Sequence, residues 1–233
     1  MKFTKLKYFT LLPLLLGMAS ISNAETKDVS CVYETVEKVS DKTGHHHDDE
    51  LQPTKWYFWR TDKAVEVSNA EQSFGEKWTL SSKDTVYYQA LYHDKHFLLD
   101  FQPADLKILG KKTNWEVRSK LFPQQILNKL EKKQRGKFKN YTMVHYQGKV
   151  AGIEYQVDWL PELNLPARVE KVSLGKKVVT ELKEVYPLAQ TPYRQIAHEK
   201  YDDMDYADIG DNESHPVVAQ LQKDTGIGYF HQH

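Results

Sequence analysis

The densest set of metal-binding side chains in this sequence is a run of three histidines followed by three acids. The predicted ligands are His45, His46, His47, Asp48, Asp49 and Glu50, with His231 and His233 near the end of the chain. Imidazole nitrogens and carboxylate oxygens bind zinc and copper. Adjacent residues of an extended chain point to opposite sides, so the run is a poor preformed tetrahedral site. It indicates either a metal-capture loop or a solvated loop with incidental metal affinity.

A second group of acids raises calcium as a candidate, because hard oxygen ligands suit that ion. The group consists of Asp202, Asp203, Asp205, Asp208, Asp211 and Glu213. Its spacing departs from the helix-loop-helix calcium pattern, since Ala207 and Asp208 fall where a ligand and a glycine are needed. A solvated acidic surface is the alternative, and so is an intramolecular contact with the basic run Lys132, Lys133, Arg135, Lys137 and Lys139.

Nucleophilic catalysis has no support in the pattern of residues. The serines lack the flanking glycines of a nucleophile elbow. The single cysteine, Cys31, has no second cysteine for an internal disulfide and no convincing partner nearby in sequence. We therefore expect a non-enzymatic protein with a buried, unreactive thiol.

Aromatic residues are the better functional signal, because they concentrate in the predicted strands. A stripe of large rings is typical either of a plain core or of a cavity for an apolar ligand. The candidate ligand-binding residues are Trp56, Phe58, Arg60, Tyr155, Trp159 and Arg168.

Residues 149–170 show how such a stripe is positioned. Ile153, Tyr155, Val157 and Trp159 alternate with polar residues, which predicts a strand with one apolar face. Pro161 and Pro166 then stop the strand and turn the chain before a new strand starts at Ala167.

Similar alternating runs joined by short turns predict an antiparallel meander. Its strands are 55–60, 63–68, 76–80, 84–92, 96–101, 138–146, 149–159, 167–174 and 177–185, with turns such as Gln147-Gly148 and Gly175-Lys176. Helical spacing of apolar residues predicts a helix over 121–134, and a weaker pattern of valines predicts a short amphipathic element over 25–40.

The first 24 residues have the form of a secretory signal. Lys2, Lys5 and Lys7 precede an apolar run that is too short to span a membrane, and Ser22-Asn23-Ala24 resembles a cleavage site. Loss of the three lysines from 32 basic residues leaves 29, against 32 acidic residues. This balance does not predict nucleic-acid binding, and we expect an exported chain, cleaved near Ala24, with no transmembrane segment.

Together with the signal and the meander, Trp159-Leu160-Pro161 running into Leu165-Pro166-Ala167-Arg168-Val169-Glu170 resembles the periplasmic lipoprotein-carrier and lipoprotein-receptor family of Gram-negative bacteria, the Lol proteins. The resemblance covers roughly residues 55–186. It implies an unclosed β half-barrel with helices over an apolar cavity that binds acyl chains, and Arg60 or Arg168 as the basic residue of that cavity.

These observations predict a mainly β (α+β) chain with short helices on the concave face of an antiparallel half-barrel. The predicted parts are a signal peptide (1–24), an N-terminal segment with the histidine loop (25–54), the half-barrel domain (55–186) and an acidic tail with a short helix (187–233). The predicted function is a periplasmic carrier of a lipid, acyl chain or apolar ligand, with zinc or copper binding as the alternative. Other periplasmic or outer-membrane proteins are the expected partners.

Overall fold

A single large, unclosed sheet dominates the computed structural model, which describes residues 27–39, 52–111 and 113–219. In these ranges, twelve strands follow one another in space in the order β12-β6-β5-β4-β3-β2-β1-β11-β10-β9-β8-β7. Neighbouring strands are antiparallel except β12, which pairs with β6 in parallel. The predicted half-barrel class, with short helices added to an open sheet, is confirmed.

Strand bounds differ from the prediction mainly at the margins of the sheet. The strands are β1 Val29–Val39, β2 Thr54–Arg60, β3 Ala64–Asn69, β4 Phe74–Leu80, β5 Val86–Tyr92, β6 Phe97–Phe101, β7 Glu131–Phe138, β8 Tyr141–Val150, β9 Ile153–Leu160, β10 Leu165–Ser173, β11 Lys176–Pro187 and β12 Asp202–Asp205. The helices are α1 Pro103–Ile108, α2 Trp115–Lys120 and α3 Gln124–Leu127, and residues 216–219 are helical.

The helix-like prediction for residues 25–40 is wrong, because Val29–Val39 forms the central strand β1. Its β-branched residues favour extended backbone, and β2 and β11 satisfy its peptide groups along both edges.

The single helix predicted for residues 121–134 is also wrong. Leu121 caps the end of α2 in a left-handed conformation, with φ of 59°, and α3 occupies only Gln124–Leu127. The chain then becomes β7, whose pairing with β8 overrides the helical spacing.

The predicted turn at Gln147-Gly148 lies inside β8 instead. The chain reverses at Ala151-Gly152, where both residues have positive φ, as a tight hairpin turn requires.

The two faces of the sheet are covered differently. We call the face that bears Cys31, Tyr33 and Phe58 the inner face; α1 and α2 contact its strands β3, β5 and β6. The outer face bears Val32, Tyr57 and Trp59. Burial raises the pKa of the Cys31 thiol to about 12, in agreement with the expected unreactive cysteine.

Residues 188–201, which we call the strap, cross the outer face after β11. Leu188 and Tyr193 pack on the outer-face cluster, and the backbone oxygen of Tyr193 accepts a hydrogen bond from Trp59 Nε1 at 2.8 Å. The chain then adds β12 beside β6 and turns onto the inner face, where Tyr206 stacks on Phe101 and Val218 is buried. Residues 206–218 therefore fill part of the inner face at one end of the sheet.

Candidate functional site

Two separate apolar clusters pack against the inner face of the sheet. The first includes Phe58, Trp78, Leu99, Leu106 and Val218. The second joins α3 to strands β9 and β10 and consists of Phe122, Leu127, Leu130, Tyr155, Val157, Trp159 and Val169.

A cavity of about 120 Å³ lies between the clusters, and we call it the central cleft. Its walls come from β1, β2, β10, β11 and the end of α2. The lining residues are Tyr33, Trp56, Leu121, Pro166, Val169, Lys171, Val178 and Thr180.

The polar atoms in the wall of the cleft are bonded to one another. Trp56 Nε1 donates to Thr35 Oγ1 at 3.1 Å, and the hydroxyls of Thr35 and Thr180 lie 3.0 Å apart. Tyr33 donates its hydroxyl to the backbone oxygen of Pro166 and stacks its ring on Trp56, with centroids 4.6 Å apart. Because these groups are already paired, the wall faces the cleft mainly with carbon.

Lys171 supplies the cationic group of the cleft. It is paired in register with Val178 of β11 and Tyr155 of β9, so its alkyl stem lies along apolar neighbours. Burial of the ammonium lowers the pKa of Lys171, although the side chain as a whole remains exposed. A negative group at the mouth of the cleft would therefore meet an incompletely solvated cation.

Leu121 closes the cleft from the helix side. It sits at the end of α2 in the left-handed region that glycine or asparagine usually occupies, and its N–H donates to Val117 O at 2.9 Å. Phe122, the next residue, is buried in the second cluster. A bulky residue with this φ costs on the order of 1–2 kcal/mol. Leu121 thus connects α2 to the second cluster through a strained backbone conformation.

A larger groove of about 370 Å³ lies at strands β8, β9 and β10, with lining residues Gln147, Gly148, Lys149, Glu154, Tyr155, Gln156, Glu170 and Val172. Most of these residues are polar, and ion pairs such as Lys149–Glu154 at 3.3 Å already use some of their charge. We prefer the smaller cleft as the candidate site because it is apolar and more enclosed.

Of the six predicted ligand-binding residues, Trp56 lines the cleft. Phe58 is fully buried in the first cluster, and Tyr155 and Trp159 are buried in the second. Arg168 pairs with Glu170 and with Glu181, in register with β11. A ligand-binding role for these residues stays a prediction.

Arg60 is also fully buried, and its guanidinium binds backbone oxygens from three separate segments. It donates to Leu163 at 2.7 Å, to Ser119 at 2.8 Å and to Lys27 at 3.1 Å, while its Nε has no hydrogen-bond partner among the described residues. Burial lowers the pKa of Arg60. This arrangement fastens α2 and the β9–β10 turn to the sheet.

The predicted metal ligands His45, His46, His47, Asp48, Asp49, Glu50, His231 and His233 lie outside the described residues, so metal binding there stays a prediction. Within the described ranges, no three or more His, Cys, Asp or Glu side chains are arranged to hold a metal ion, and this includes Asp202, Asp203 and Asp205. None of the helices in that part of the chain combines the length and hydrophobicity that a membrane crossing requires.

Sequence reasoning missed Tyr33, Val169, Lys171, Val178 and Thr180 as cleft residues. A signal was present for the last two, because Val178, Thr180 and Leu182 alternate along β11. Tyr33 was missed because its segment was read as helix-like. That these five residues meet one another is a consequence of strand order alone.

Comparison with known proteins gives only distant similarities. No family model and no curated protein sequence matches this chain. PNGF-II is 11% identical, with a TM-score of 0.40, and the match covers 80% of this chain but 33% of PNGF-II.

Two other solved structures have the same kind of remote similarity. A chain of the MucA/MucB complex from Pseudomonas aeruginosa is 10% identical, with 70% and 52% of the two chains covered and a TM-score of 0.34. A putative outer membrane lipoprotein-sorting protein domain from Vibrio parahaemolyticus is 10% identical, with 75% and 90% covered and a TM-score of 0.32. Similarities this distant do not assign a function, so the resemblance to the Lol proteins stays a proposal.

Proposed function

We propose that this chain is a non-enzymatic periplasmic carrier that holds an acyl chain or a similar apolar segment in the central cleft. The observation that carries the proposal is the cleft itself, an apolar cavity between two packed clusters of the sheet. Aromatic and aliphatic walls with few free polar groups suit hydrocarbon.

The volume of the cleft limits what it holds without rearrangement. About 120 Å³ is smaller than the roughly 300–1,000 Å³ of typical small-molecule pockets. A longer chain requires the walls to separate, and Leu121 is the natural point, because relaxation of its left-handed backbone would move α2 relative to the second cluster. The closed cleft is then the unloaded form.

Lys171 determines the orientation of the proposed ligand in the central cleft. A fatty acid placed with its hydrocarbon against Trp56 and Val178 would leave its carboxylate near the Lys171 ammonium. The charge-assisted contact favours an acid over the corresponding neutral alcohol.

The test measures binding of cis-parinaric acid, a fluorescent fatty acid, to the full chain, together with organic extraction of protein purified without detergent. Val178→Trp should fill the cleft and weaken binding by about tenfold or more. Val179→Trp is the matched control, since the adjacent residue of β11 points to the opposite face.

Lys171→Met separates charge from shape. It should weaken binding of the acid but not that of the alcohol of equal length. Absence of probe binding in the wild type, with no lipid in the extract, would overturn the proposal, as would equal binding by the Val178→Trp and Val179→Trp variants.

A further inference from the structure

The two edges of the described sheet carry opposite charge. Strand β7 forms one edge, and residues 131–137 are all exposed. Residues 129–139 contain six basic side chains and one acid. Edge strands often carry lysines that prevent unwanted pairing, and this edge has the composition to repel a second copy of itself.

Strand β12 forms the other edge and is acidic. Asp202, Asp203 and Asp205 are exposed, and residues 199–213 contain seven carboxylates and one lysine. Like β7, this edge repels its own copy.

The intramolecular contact between these two segments, one of the alternatives left open by the sequence, does not arise by strand pairing in the described part of the chain, because ten strands separate β7 from β12 in the sheet. At about 4.8 Å per strand, the edges are about 50 Å apart along the sheet. The opposite charges can therefore be satisfied between molecules, where one copy presents β7 to the β12 of another.

We propose that the β7 edge of one copy docks on the β12 edge of a second copy, as a head-to-tail continuation of the sheet. The charge patterns oppose β7–β7 and β12–β12 pairing and favour only the mixed pair. β12 has four residues, so few backbone hydrogen bonds are available and the attraction depends strongly on charge. The interface uses two different surfaces, so association continues beyond the dimer unless the assembly closes into a ring.

The first measurement is sedimentation velocity of the full chain at rising concentration, at about 10 mM and about 1 M salt. The Debye length is about 30 Å in the first condition and about 3 Å in the second. Dimers and larger species should form at low salt and dissociate at high salt. A monomer under both conditions at every concentration would overturn the proposal.

Charge reversal identifies the surfaces. In the first variant, which we call the acidic-edge variant, Lys132→Glu, Arg135→Glu and Lys137→Glu make β7 acidic, so that both edges are acidic. In the second, the basic-edge variant, Asp202→Lys and Asp203→Lys make β12 basic, so that both edges are basic. Each variant should associate at least about tenfold more weakly than the wild type. An equimolar mixture should regain association, because every edge then has an opposite partner on the other variant. Regained association also shows that both variants are folded.

The control reverses two exposed lysines outside both edge strands, Lys63→Glu and Lys83→Glu, and should weaken association much less than either edge variant. Self-association that survives the acidic-edge variant, or a mixture that stays monomeric, would show that the β7 and β12 edges are not the interface. This result is independent of ligand binding in the central cleft.

Discussion

At the scale of single residues, Arg60 shows how a buried charge organises the inner face. In the described part of the chain no carboxylate is bonded to its guanidinium, which instead donates to the carbonyl oxygens of Lys27, Ser119 and Leu163. A planar group with several N–H donors can do this, whereas a lysine ammonium cannot copy the geometry. Arg60, one of the two residues that the resemblance implies as the basic residue of the cavity, thus fastens α2 and the β9–β10 turn to the sheet.

Replacement of Arg60 by methionine should lower the free energy of unfolding by about 3 kcal/mol, because it leaves buried carbonyls without donors. Urea unfolding measures the change. Arg194→Met is the control, and it should change stability by less than about 0.5 kcal/mol, since Arg194 is exposed. Equal stability of Arg60→Met and the wild type would show that the three hydrogen bonds contribute little.

A second residue-scale feature is a set of titratable side chains beneath the strap. Glu66 of β3 accepts a hydrogen bond from Gln195 Nε2 at 2.7 Å, and burial raises the pKa of Glu66 to about 7. His93 Nδ1 lies 3.0 Å from the Tyr201 hydroxyl oxygen. Burial, and secondarily the nearby His198, lowers the pKa of His93. His198 in turn lies 3.2 Å from the Lys77 ammonium.

Glu66 and His93 make opposite contributions to the pH dependence of stability. Between about 4.5 and about 7, folded Glu66 keeps a proton that the unfolded chain has lost, so its contribution to stability falls as pH rises. For His93 the unfolded chain binds more protons below pH 6.5, so its contribution is lost as pH falls.

Glu66→Gln isolates the first effect. The stability of the wild type relative to this variant should fall from pH 4.5 to pH 7, by a total on the order of 3 kcal/mol at most. Urea unfolding at several pH values measures the difference. Glu154→Gln, at an exposed ion pair, should not reproduce it. A pH-independent difference between Glu66→Gln and the wild type would contradict the assigned titration.

At the scale of elements, the strap connects the outer face of the sheet to the inner face. Its Tyr193 packs on Tyr57, with ring centroids 5.1 Å apart. Hydrogen bonds also join the strap to Trp59, Glu66 and Lys77 of the sheet. The chain then continues through β12, and Tyr206, Ile209 and Val218 pack on the inner face. Polar bonds hold much of the length of the strap, so it is the natural first segment to open.

Tyr193→Ala should loosen the strap more than the sheet. We expect an unfolding free energy about 2 kcal/mol lower, with about tenfold faster amide exchange in residues 188–201 and little change in β9 and β10. Hydrogen exchange detected by mass spectrometry measures the distribution. Tyr87→Ala is the control, because Tyr87 is 40% exposed on β5. Faster exchange spread evenly over all strands would show that the strap does not open separately.

At the scale of the whole molecule, strand order creates both proposed surfaces. It places β1 between β2 and β11, and this brings Tyr33 and Trp56 beside Val178 and Thr180 to form the central cleft. The same order places the most basic strand and an acidic strand at opposite edges. Neither the cleft nor the charge separation belongs to any one element.

Much of the architecture follows from local pattern. Strict alternation in residues such as Tyr155, Val157 and Trp159 predicts strands because successive side chains point to opposite faces, and short connections predict antiparallel neighbours. The mainly β class, the open sheet and most strands between 55 and 185 were predictable for this reason.

Tertiary structure decided what local pattern does not encode. β7 is exposed on both faces and has no apolar alternation, so only its pairing with β8 makes it a strand. β12 has three aspartates in four residues and is extended because β6 offers a free edge. The central cleft likewise depends on residues more than 130 positions apart, such as Tyr33 and Pro166, which hydrogen bond across the sheet. The sequence alone determined which faces are apolar, and long-range strand pairing determined which of those faces are packed and where a cavity remains.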